Sequence, residues 1–144
     1  MKKLSILTFI AIILFSCTTD DDSPNFHYET LPVEEAIIPE SFEWNETYDI
    51  TLEYKLPSTC HTFFSVYYEH DQDDETKRII AVISRVTDDA ICSDESRTKE
   101  HTFQIEATQE EDYVFKIWKG TDPENDEDIF EEITVAVTKD TEQE

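Results

Sequence analysis

The ten residues from Thr47 to Leu56, TYDITLEYKL, alternate without a break: Tyr48, Ile50, Leu52, Tyr54 and Leu56 fall on one face, and Thr47, Asp49, Thr51, Glu53 and Lys55 on the other. A period of two marks a strand with one face in a core and one in water, because successive Cβ atoms point to opposite sides of the pleat. The same logic predicts strands over Thr102 to Ala107, with Phe103, Ile105 and Ala107 inward, and over Asp112 to Lys119, with Tyr113, Phe115 and Ile117 inward. A last strand runs through Ile133, Val135 and Val137, and a first is expected around Glu29 to Ile38. Thr62 to His70 and Lys77 to Val86 are apolar on both faces for part of their length, the pattern of strands covered on both sides. No window sustains a helical period. About seven short strands separated by acidic, turn-like stretches predict an all-β fold, a single antiparallel two-sheet sandwich.

The chain has 144 residues, room for one such domain, with 11 Lys and Arg against 35 Asp and Glu for a net charge of −24. A surface this negative repels phosphate backbones, so nucleic acid is not an expected partner, and anionic lipid headgroups are disfavoured for the same reason. Aromatic residues make up 12% of the chain, which argues for a packed core beneath the charge. The only glycine is Gly120, so no glycine-rich phosphate cradle can form, and nucleotide-dependent chemistry is excluded with it. Just past Trp118, Gly120 is expected to start the final hairpin.

At the N-terminus, Lys2 and Lys3 precede the apolar run Leu4 to Phe15, which is too short to span a bilayer and right for a signal peptide. Leu14-Phe15-Ser16-Cys17 resembles the lipobox of bacterial lipoproteins, departing from it in the bulk of Phe15. That resemblance implies cleavage before Cys17 and a diacylglyceryl group on its thiol, tying the domain to a membrane. Losing Lys2 and Lys3 with the leader would deepen the charge by two, to −26. Thr18 to Pro24, with Asp20, Asp21 and Asp22 at its centre, resembles the acidic export signal of surface-exposed lipoproteins of flavobacterial and Bacteroidota type. It implies display on the outer face of the outer membrane; the alternative is an ordinary flexible tether and display at the periplasmic face. The expected organisation is a signal peptide over 1–16, lipidated Cys and tether over 17–27, a sandwich over 28–139 and an acidic tail over 140–144. Tyr113 to Trp118, an acidic hairpin and Ile133 to Val137 are similar to the last two strands of immunoglobulin-like bacterial domains, which implies a fold and no function.

With Cys17 assigned to the lipid, Cys60 and Cys92 form an even pair in an exported chain and are expected to be disulfide-bonded. In an up-and-down strand count they lie in connections at the same end of the sandwich. The bridge is worth about 3 to 4 kcal/mol in the chain-entropy model. Elsewhere the motifs of catalysis are missing: there is no G-x-S-x-G and no H-E-x-x-H, and His27, His61, His70 and His101 are far apart in sequence. His61 and His101 could meet near the disulfide. With so many carboxylates, pairs suited to glycoside hydrolysis carry no information. The acidic loops holding Asp71, Asp73 and Asp74, and Asp122, Glu124, Asp126 and Asp128, group oxygens as calcium would require. The competing reading is charged hairpin tips that keep sheet edges from pairing. Trp44 and Trp118 are candidates for a binding surface, Trp118 being out of register with the inward residues of its strand. The expected function is a non-catalytic binding or accessory module at the cell envelope, with no obligatory cofactor and an envelope protein or glycan as partner. The alternative is a calcium-dependent adhesion or carbohydrate-binding module.

Overall fold

The computed structural model describes residues 25–88 and 90–139. These form an all-β sandwich of nine strands, β1 (Phe26–Leu31), β2 (Val33–Ile37), β3 (Ser41–Glu43), β4 (Thr47–Leu56), β5 (His61–His70), β6 (Lys77–Thr87), β7 (Arg97–Glu106), β8 (Tyr113–Thr121) and β9 (Asp128–Thr138). One sheet is built from β2, β4 and β7, the other from β1, β3, β5, β6, β8 and β9. The expected seven strands become nine for two reasons. Pro32, which has no N–H to donate, divides the first segment into β1, paired with β6 in the large sheet, and β2, paired with β4 in the small one. Strand β3, three residues long, was too short to show a period. β1 also starts at Phe26, inside the stretch expected to be tether.

The alternating segment is β4, with Ile50, Leu52, Tyr54 and Leu56 buried, and it pairs with β7 along ten residues with no shift of register. Facing it across the core are Ile80 and Val82 of β6, Tyr113, Phe115 and Ile117 of β8, and Val135 of β9. Five pairings are antiparallel, but β3 runs parallel to β9 and β6 parallel to β8, which corrects the expectation of purely antiparallel sheets. Each strand has two flanks. On β6, one flank is taken by β5 along nearly its whole length, so the other is divided: β8 covers Lys77 to Ile80 and β1 covers Val82 to Thr87. Ala81 sits at the changeover.

Cys60 and Cys92, 32 residues apart, are joined as expected, with 5.5 Å between their Cα atoms. The bridge ties the β4–β5 connection to the β6–β7 connection, and Thr59 N–H donating to Ser93 O at 3.0 Å ties them again. Gly120 has a φ of +120°, but it lies within β8, where the register with β9 shifts between Trp118 and Gly120. Its conformational freedom therefore serves a β-bulge and not the start of the hairpin. In the hairpin, the left-handed residue is Asp126, φ 60°.

Candidate functional site

On the outer face of the large sheet, the side chains that should meet water are largely apolar. Along β6 the outward series is Ile79, Ala81 and Ile83: Tyr67 of β5 stands across from Ala81 and Thr30 of β1 across from Ile83, while Ile79 lies between Glu69 of β5 and Lys116 of β8. On the far side are Trp118 of β8 and its cross-strand partner Phe130 of β9. Together with Asp128 they line a groove of about 310 Å³, at the point where β1 gives way to β8 beside β6. Its floor at Ala81 is only 4% exposed, whereas Tyr67 on its wall is 44% exposed. The bulge completed by Gly120 lies immediately beside Trp118, whose Nε1–H donates to Asp128 Oδ1 at 2.9 Å. Thr121 Oγ1 donates to the same oxygen at 3.4 Å.

The aromatic character continues toward the N-terminal end of this face. Tyr28 packs on Phe64 with ring centroids 4.5 Å apart and on Phe26 at 5.5 Å, all three being about half exposed. Two of the chain's few cations rest on rings of the same face: Lys116 Nζ lies 4.7 Å from the centroid of Phe130, and the Arg85 guanidinium 5.5 Å from that of Phe26. Sequence reasoning found Trp118 and placed it outward, but it missed Thr30, Tyr67, Ile79, Ala81, Ile83 and Phe130. For Tyr67, Ile79, Ala81 and Ile83 the signal was the two-faced apolarity of β5 and β6, read as cover from both sides; Thr30 of β1 and Phe130 of β9 carried no such signal. Phe64 and Tyr67 show that the outer side is open instead.

Trp44 lies elsewhere. It follows β3, is 43% exposed, and its Nε1–H donates to Thr108 O at 3.3 Å, so the two tryptophans do not line one groove. In both acidic loops some of the carboxylates are engaged in local structure. Asp71 accepts from Lys116 Nζ at 2.6 Å and from Asp73 N–H at 3.0 Å, and these bonds, the lysine's first, hold its carboxyl below the usual aspartate range. Asp74 accepts from both the hydroxyl and the N–H of Thr76, with the same effect on its acidity. Asp122 accepts from Glu124 N–H at 2.8 Å, while Glu124 and Asp126 are exposed at the tip. Among the described residues, no three His, Cys, Asp or Glu side chains are grouped so as to hold a metal ion.

The four histidines go to separate places. His27 Nδ1 is 2.8 Å from Asp88 Oδ1, His70 Nδ1 is 3.1 Å from Glu75 O, and His101 stacks on Phe63 with 4.1 Å between centroids. His61 bridges Ser58 Oγ and Glu29 Oε2, each at 2.7 Å. A serine, a histidine and a carboxylate in series have the connectivity of a proton relay. The Ser58 hydroxyl, however, is folded into the turn beneath the disulfide, where it accepts from Cys60 N–H, and Ser58 is buried. The arrangement braces that end of the sandwich and fastens β1 to it. A second hollow of about 420 Å³ is lined in part by Gln109 and the buried Arg78, but the Arg78 guanidinium already donates to Glu75 O, Lys77 O and Gln109 Oε1, closing the chain at that end.

Cys17 and Asp20, Asp21 and Asp22, with the expected signal peptide and acidic tail, lie outside the described residues. Comparison with protein-family models, with curated proteins and with solved structures finds no match to this chain.

Proposed function

We propose that this chain is a lipid-anchored, non-catalytic binding module of the bacterial cell envelope, held by Cys17 at the outer membrane and presenting the outer face of its large sheet to a partner. One observation carries the reading: in a chain with a net charge of −24, the aromatic and aliphatic side chains around Tyr67, Ala81 and Trp118 form an open groove uncovered by any other described segment. Contiguous apolar surface on a small domain marks an interaction site more often than scattered single residues do. A carbohydrate-binding module is the second reading, favoured by the Tyr67 and Trp118 rings on the groove's walls, since flat rings offer a stacking surface to sugars.

The anchor and the surface are tested together in cells. Cys17→Ser should move the protein from the membrane fraction to the soluble fraction, whereas continued membrane association would remove the lipid anchor from the proposal. Purified from that soluble fraction, concentrated and added back to washed envelope fragments, the Cys17→Ser protein should co-sediment with them in a saturable way, and the double variant Tyr67→Ala, Trp118→Ala in the same background should stay in the supernatant. Equal sedimentation of the two forms would mean that the groove is not the binding surface.

A further inference from the structure

The groove's chemistry narrows what it can hold. We infer that it receives a basic side chain, the Lys or Arg of a partner protein segment; this rests on reading the groove as the binding surface. Its polar groups are the Asp128 carboxylate, the hydroxyls of Thr30 and Tyr67, and the Trp118 Nε1–H, which is already given to Asp128; there is no Lys, Arg or side-chain amide. A sugar presents donors and acceptors in comparable number and is best matched by a mixed lining. A Lys ammonium has three donors and no acceptor, and an Arg guanidinium five, so both fit a lining dominated by oxygen.

Asp128 is prepared for such a ligand. Its Oδ1 accepts from Trp118 and Thr121, which fixes the carboxylate, while Oδ2 has no partner among the described residues. Beneath it, Ile79, Ala81 and Ile83 offer an apolar floor against which the methylene stem of a Lys or Arg can lie with its charged head at the rim. Trp118, Tyr67 and Phe130 supply ring faces, whose quadrupoles attract cations. This face already holds cations in that manner, since Lys116 sits over Phe130 and Arg85 over Phe26. The charge of Lys116 is matched by Asp71 at 2.6 Å, so it does not oppose an incoming cation at full strength. At longer range, 35 acidic residues against 11 basic draw a positively charged segment toward the domain.

The test must separate a site from diffuse attraction. The probe is a short capped peptide with one central lysine, and its control is the same peptide with that lysine acetylated. Both are titrated by tryptophan fluorescence and calorimetry into the chain from residue 17 onward carrying Cys17→Ser, which keeps every described residue. Expected is binding of the lysine peptide, weakened about tenfold by acetylation, by Asp128→Asn and by Trp118→Ala. Asn keeps the oxygen that accepts from Trp118 and replaces the unpartnered Oδ2 by an uncharged amide donor, which cannot accept from a cation. Asp126→Asn changes net charge equally but lies at the exposed hairpin tip, and it should leave affinity unchanged. Equal weakening by Asp126→Asn and Asp128→Asn would overturn the site in favour of general electrostatic attraction. Cellohexaose, a neutral oligosaccharide, distinguishes the remaining cases. If it binds in a Trp118-dependent way and the lysine peptide does not, the groove is a binding surface but the cationic ligand is wrong. If neither binds and the envelope co-sedimentation also fails, both proposals fall.

Discussion

Gly120 is the residue on which the groove's geometry turns. Its φ of +120° belongs to a region that side-chain-bearing residues scarcely enter, while an added Cβ would meet Pro32 Cγ at an ordinary 3.6 Å. Conformation and not crowding is therefore the obstacle to substitution. Gly120→Ala should lower unfolding stability by roughly 1 to 3 kcal/mol in urea denaturation and shift the emission of Trp118, as the bulge beside it relaxes. An unchanged denaturation midpoint and spectrum would mean that the bulge is indifferent to its residue. That a glycine was needed near Trp118 was legible in the sequence, as was the outward face of Trp118, which follows from its parity against Phe115 and Ile117. Whether the glycine served a turn or a bulge was not, because both need the same backbone freedom and they differ only in the register of the partner strand.

At the scale of elements, period two located β4 and the inward residues of β8 and gave no purchase on β3, Ser41–Glu43. That strand pairs with β9 and buries a single side chain. Phe42 is fully buried, stacks on Tyr48 at 4.5 Å and meets Tyr113 edge-on at 5.5 Å, while Thr138 Oγ1 donates to its carbonyl. Phe42→Ala should cost about 3 to 5 kcal/mol, a large share of what a small domain possesses, and should speed amide exchange in the part of β9 that pairs with β3. A cost under 1 kcal/mol would show that β3 is not anchored through this ring. The groove was hidden for a related reason. Two-faced apolarity in β5 and β6 identifies strands with something on each side, but the pattern is the same whether the second side is covered by the chain or left for another molecule. The divided flank of β6, which opens the groove at Ala81, depends on pairings between segments far apart in sequence, and periodicity within one segment carries no trace of them.

For the molecule as a whole, the surplus of acid has two consequences of opposite sign. Several lysines are already paired, Lys116 with Asp71, Lys77 with Glu132 at 3.0 Å, and Lys119 with Glu131 at 3.2 Å. The 35 acidic residues outnumber the 11 basic ones more than threefold, and the folded domain holds its carboxylates closer together than the unfolded chain does. Raising NaCl from about 10 to 150 mM shortens the screening length from about 30 to 8 Å, so it relieves this repulsion more than it weakens the short ion pairs. The melting midpoint should therefore rise by several degrees, on the order of 1 kcal/mol, and a fall would mean that the paired lysines outweigh the surplus charge. Attraction of a basic segment to the groove is screened by the same ions, so its affinity should drop over the range in which the domain itself grows more stable. Stacking of a neutral sugar has no such dependence, so measuring stability and affinity across one salt series also tells the two classes of ligand apart.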